Sequence, residues 1–161
     1  YDVYEMQRAS WIEGVVSACR LMGLDYVITQ HHADKANLNG YNVARESLHD
    51  VLRKSTVLVS RFSTALLEAM ALGKPVVYHN PHGERMDTFQ DPLEAFRITR
   101  NPEELVQALR EALLLTPNYR SHCKRFFQHH VSVNETPSGL RMAQAVSALT
   151  GMHVTMHPAM A

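Results

Sequence analysis

Apolar residues at Met6, Ala9, Ile12, Val16, Cys19 and Met22 recur at three- and four-residue steps, the period of a helix with one buried face. Gly23 follows and fits the left-handed residue that closes such a helix. Tyr26-Val27-Ile28-Thr29 then reads as a strand, and Asn39-Gly40 marks a turn within the polar stretch 37–42. A second amphipathic helix is predicted over Val43–Lys54, burying Ala44, Leu48, Val51 and Leu52. Thr56 to Val59 has no polar alternation, as expected of a strand covered on both faces. Ser63 and Thr64 can cap a helix whose body runs from Ala65 to Leu72. Gly73 closes it, and Pro75 sits where a strand can begin before Val76 and Val77 resume the apolar run.

The remaining chain continues the alternation. Phe96–Thr99 is a short strand, and Asn101-Pro102-Glu103-Glu104 supplies a cap, a first-turn proline and an acid three residues after the cap. Leu105, Leu109, Ala112 and Leu113 give that helix its buried stripe. Tyr119–His130 is a further helix, with Phe126-Phe127 and a basic face of Arg120, Lys124 and Arg125. The stretch 133–139 breaks the chain, and Ser138 starts a last helix carrying Leu140, Ala143, Val146 and Leu149. Residues 152–161 read as a frayed tail.

Strands alternating with helices through short connections predict an α/β fold, a Rossmann-like three-layer sandwich with a mainly parallel sheet and right-handed crossovers. Residues 1–151 form a single domain in this reading. Because a helix precedes the first strand, an opening strand is expected elsewhere, and the chain reads as an excised piece of a longer protein.

Composition removes several function classes. Sixteen basic and sixteen acidic residues balance, so no electrostatic capture of nucleic acid or an anionic membrane is implied. The basic helix face is too short to change that, and no stretch has the length of a membrane span. Cys19 and Cys123 read as reduced thiols of a cytoplasmic protein, although a pairing is open in principle. The ten histidines include two adjacent pairs, neither with the three- or four-residue spacing that aims two imidazoles at one metal, and no cysteine stands close enough to complete a zinc quartet, so no metal is expected.

The candidate chemistry lies where the strand 56–59 meets the helix 65–72. A helix N-terminus directly after a parallel strand presents unpaired N–H groups and the positive end of a dipole. Ser63 and Thr64 add hydroxyls there, and Glu68 stands one turn further along. A phosphate at the turn and a ribose hydroxyl at the carboxylate would use all three. The structural alternative is that Ser63 only caps the helix and Glu68 is solvated.

The run S-T-A-L-L-E-A-M-A-L-G-K-P-V-V, residues 63–77, resembles the nucleotide-binding segment in the C-terminal half of GT-B glycosyltransferases. It is most similar to the bacterial capsule and teichoic-acid polymer transferases. The resemblance implies that Ser63 and Thr64 hold the phosphates of a nucleotide diphosphate sugar, that Glu68 meets the ribose, and that Gly73 and Pro75 are scaffold. His31 stands where that family often has a His-Pro pair, here His31-His32, and Arg85 and His82 lie in a loop that the family uses near the donor sugar or the partner domain. Retaining members with two glutamates eight positions apart would need an acid at Ser60, which disfavours that subtype. The resemblance further implies that no cofactor is needed and that the acceptor side and general base lie on a missing N-terminal acceptor domain. No catalytic residue is therefore assigned, and the chain is expected to bind donor weakly and transfer nothing alone. Two alternatives stay open: the nucleotide half of a GT-B-fold sugar-nucleotide epimerase, and a non-catalytic Rossmann-like interaction module.

Overall fold

A computed structural model describes residues 2–31, 34, 36–61, 63–85, 89, 91–114 and 118–130. Its elements are α1 (Asp2–Leu21), α2 (Leu48–Lys54), β1 (Leu58–Ser60), α3 (Ala65–Ala71), β2 (Val76–His79), β3 (Arg97–Thr99), α4 (Pro102–Leu113) and α5 (Tyr119–His130). The helix expected from Ser138 and the tail 152–161 lie outside the described residues.

The three strands form one parallel sheet in the order β1-β2-β3, with Leu58 opposite Val76 and Tyr78 opposite Ile98. Every residue of β2 is buried, as a central strand requires. Two apolar layers cover the sheet. On one face Leu58, Val76 and Tyr78 pack with Leu52 of α2, Leu66, Ala69 and Met70 of α3, and Phe126 of α5. On the other, Val57, Val59 and Val77 pack with Ala18 of α1 and Leu105, Ala108 and Leu109 of α4. This is the α/β three-layer arrangement that the alternating pattern predicts.

The expected punctuation forms. Gly73 adopts φ +69°, and Lys74 N–H returns to Ala69 O at 2.9 Å to close α3. Asn101 Oδ1 accepts from Glu104 N–H at 2.8 Å and Asn101 Nδ2 donates back to Glu104 Oε1 at 2.8 Å, while Glu104 Oε2 accepts from Arg100 N–H, one residue before the cap, at 2.7 Å, a box at the start of α4. Both cysteines are free and buried, and burial pushes each thiol pKa up, which keeps it protonated.

Several boundaries differ from the sequence reading. Residues 26–29 form no strand of a sheet but a single parallel bridge, Ile28 with Val43. That bridge engages Val43, so the second helix begins only at Leu48, where the Ser47 side chain accepts from Asp50 N–H at 3.2 Å. β1 starts at Leu58 and is half-buried, because only β2 pairs with it among the described residues. Met6, Ala9 and Leu113 are exposed at helix ends, beyond the reach of the sheet. Helical period locates a face but does not say how far the covering layer extends.

Candidate functional site

The carboxyl ends of the strands and the connections that leave them build the site. β1 ends at Ser60, whose hydroxyl donates to Arg61 O at 2.8 Å. Arg61 is largely buried and forms an ion pair with Glu84 of the loop after β2. That pair ties the turn before α3 to the loop 80–85. The loop is braced from within: Asn80 Nδ2 donates to Glu84 O at 2.8 Å and Asn80 Oδ1 accepts from Glu84 N–H at 2.7 Å.

At the start of α3 the hydroxyl residues divide their roles. Ser63 Oγ accepts from Ala65 N–H at 3.2 Å, and Ser63 O accepts from Leu66 N–H at 3.2 Å. Thr64 occupies the cap position in helical conformation, and its side chain caps nothing. Of the two hydroxyls expected to cap, only that of Ser63 does so. Thr64 and, one turn on, Glu68 are exposed, and no described hydrogen bond or ion pair engages the Glu68 carboxylate.

An open cleft of about 1890 Å³ runs along β1, and His31, Arg61 and Ser63 are among its lining residues. Its far wall is the segment 24–31, and Arg8 and Asp34 join there in an ion pair at 2.5 Å. His31 and Ser63 thus line one cleft, and the 80–85 loop is tied to the turn before α3 through Arg61. Thr64, Glu68 and Arg85 do not line this cleft. Arg85 is exposed in the loop.

Sequence reasoning missed Arg61, Glu84 and His79. Arg61 carried a signal, since it directly precedes the S-T pair at the end of a strand, but its partner could be found only in space. His79 is 3% exposed, with Nδ1 2.9 Å from Thr99 Oγ1 and its carbonyl accepting from Trp11 Nε1 at 2.8 Å. Burial foremost pushes its imidazole pKa below the usual range, against an opposing pull from Thr99 and Glu104. A neutral His79, bonded through Nδ1 and through its carbonyl, is a structural anchor behind the site. Tyr78, fully buried beside it in β2, has no hydrogen-bond partner for its hydroxyl among the described residues, and burial pushes its pKa up against the nearby Arg61 charge.

Among the described residues no three His, Cys, Asp or Glu side chains gather as metal ligands, and no helix is long and apolar enough to cross a membrane. The arrangement offers instead a strand-to-helix turn with a hydroxyl, a buried guanidinium and an imidazole beside an open cleft. Such a set suits an anionic, hydroxyl-rich ligand.

A search of curated proteins found no significant match. The family model for Glycosyl transferases group 1 matches residues 24–129, more than half of the chain, and its span takes in β1, α3 and β2 with the cleft-lining His31, Arg61 and Ser63. The chain belongs to the group 1 glycosyl transferases.

Proposed function

We propose that this chain is the donor-binding C-terminal domain, residues 1–151, of a GT-B glycosyltransferase and that its ligand is a nucleoside diphosphate sugar. The observation that carries the reading is that His31, Arg61 and Ser63 line one cleft, with Arg61 and Ser63 in the turn before α3. The Ser63 oxygen already accepts the Ala65 N–H, so its own hydroxyl hydrogen remains available for a phosphate oxygen. Arg61 adds positive charge at that point, and His31 approaches from the opposite wall. Thr64 supplies a second hydroxyl, and the unengaged Glu68 carboxylate is suited to the two hydroxyls of a ribose. Arg85, on the loop braced against Arg61, would approach the sugar. The residue pattern of 63–77 supports a polymer transferase of the capsule or teichoic-acid kind. Family membership favours a transferase over an epimerase or a non-catalytic module.

The acceptor and the general base would come from an N-terminal acceptor domain, so the chain alone should bind without turnover. Binding should be weak, millimolar to high micromolar, for which about 4–6 kcal/mol suffices. Ligand-observed NMR with uridine, cytidine and guanosine diphosphates tests this. Ser63→Ala should weaken diphosphate more than nucleoside. Glu68→Ala should do the reverse, because a carboxylate repels phosphate and is favourable only toward ribose. If none of the three nucleotides binds, or if neither substitution changes binding, the assignment fails.

A further inference from the structure

Residues on either side of His31 are bonded to one another and to α1. Gln30 Nε2 donates to Ala36 O at 2.9 Å. Asp34 N–H donates to His31 O at 2.8 Å, and Ala36 N–H donates to Asp34 Oδ1 at 2.9 Å. The same carboxylate oxygen accepts from Arg8 Nη1 of α1 at 2.5 Å. The Arg8 and Asp34 side chains are only 17% and 27% exposed, so water and salt weaken this charge-assisted bond little. α1 is a firm anchor for it. Three residues beyond Arg8, Trp11 Nε1 donates to His79 O at 2.8 Å, and Ile12 and Val16 are buried. His82 Nε2 lies 3.0 Å from Gln7 O and 3.2 Å from Ser10 Oγ, so the same part of α1 also meets the loop after β2.

We propose that Asp34 is a positioning residue: clamped by Arg8, it holds the turn that presents His31 to the anionic ligand of the cleft. The role rests on the nucleotide reading above, since it takes His31 as a ligand contact. What the clamp supplies is preorganisation. A side chain on the wall of an open cleft contributes most to affinity when its backbone is in place before the ligand arrives. His31 is exposed, its carbonyl is held by the Asp34 amide, and the Asp34 carboxylate is held by Arg8. His31 is thereby referred, through two bonds, to a helix fixed on the central strand. Charge alone gives the opposite expectation, which makes the role separable. Asp34 lines the cleft, so its negative charge by itself disfavours an anionic ligand, and it engages the guanidinium of Arg8, which lines the cleft as well. Removing the carboxylate tightens binding if only charge counts, and loosens it if placement of His31 counts.

Ligand-observed NMR on the 161-residue chain tests this, with whichever of uridine, cytidine and guanosine diphosphate the parent binds most tightly. Asp34→Ala should weaken binding about three- to tenfold, the effect of releasing a preorganised contact. Asp34→Asn removes the same charge but keeps an oxygen for Ala36 N–H and Arg8, and should weaken binding less. In a His31→Ala background, Asp34→Ala should change the affinity less than about twofold, because the group it positions is gone. A merely structural role would weaken binding equally in both backgrounds. That result overturns the proposal, and so does tighter or unchanged binding by Asp34→Ala beside an intact His31. Should the alanine variant not fold, Asp34→Asn in the two backgrounds carries the same test. A parent that binds none of the diphosphates ends the nucleotide reading and this role together, whereas a parent that binds and is indifferent to Asp34 ends this role alone.

Discussion

The indole N–H of Trp11 donates to the carbonyl oxygen of His79 at 2.8 Å, and the two rings lie 6.2 Å apart. This contact pins α1 to the carboxyl end of the central strand, directly behind the candidate site. Trp11→Phe keeps a ring in place but leaves the His79 carbonyl without that donor. The expected cost is about 1–2 kcal/mol, read as a lower urea midpoint by far-ultraviolet circular dichroism. An unchanged midpoint would show that α1 is held by its apolar face alone.

Acid should destabilise the protein through His79. Burial holds its folded pKa below the unfolded value of about 6.5, so the unfolded chain takes up a proton more readily. Stability from this residue is therefore intact above about pH 6.5 and falls progressively as the pH drops below that value toward the depressed folded pKa. Urea midpoints measured from pH 7.5 to 5 should decline, and His79→Gln should flatten the decline. His130, whose pKa burial also pushes down, should leave a residual slope. A His79→Gln profile parallel to the parent profile would reject the assignment.

The box at the start of α4 should respond to loss of its cap. Asn101→Ala removes the acceptor for Glu104 N–H and the Asn101 Nδ2 donor to Glu104 Oε1 at 2.8 Å. A loss of about 1 kcal/mol is expected in urea unfolding, whereas Asn101→Asp, which keeps the acceptor, should lose less.

Gly73→Ala isolates backbone strain. An added Cβ would meet nothing within 4 Å, but the residue sits at φ +69°, where side chains are disfavoured. A destabilisation of about 1 kcal/mol is expected from conformation alone, and Gly73→Asn should recover part of it. Equal midpoints for alanine and parent would mean that the end of α3 relaxes without cost.

What the sequence determined by itself is local chemistry. The turns at Gly23 and Gly73, the Asn101–Glu104 box, the burial of β2 and the turn bearing Ser63 follow from side chains within a few positions of one another. Tertiary structure decided everything that depends on a distant partner. Residues 26–29 have strand propensity, yet a strand exists only where a neighbour completes its ladder, and here a single bridge to Val43 does. The same bridge shortened the second helix, since Val43 could not serve both. Arg61 became part of the candidate site because Glu84 reaches it from another loop, and His31 because it lines the same cleft as Ser63. Neither pairing leaves a trace in residue spacing, because an ion pair or a shared cleft depends on distances set by the packed layers and not by the number of intervening residues.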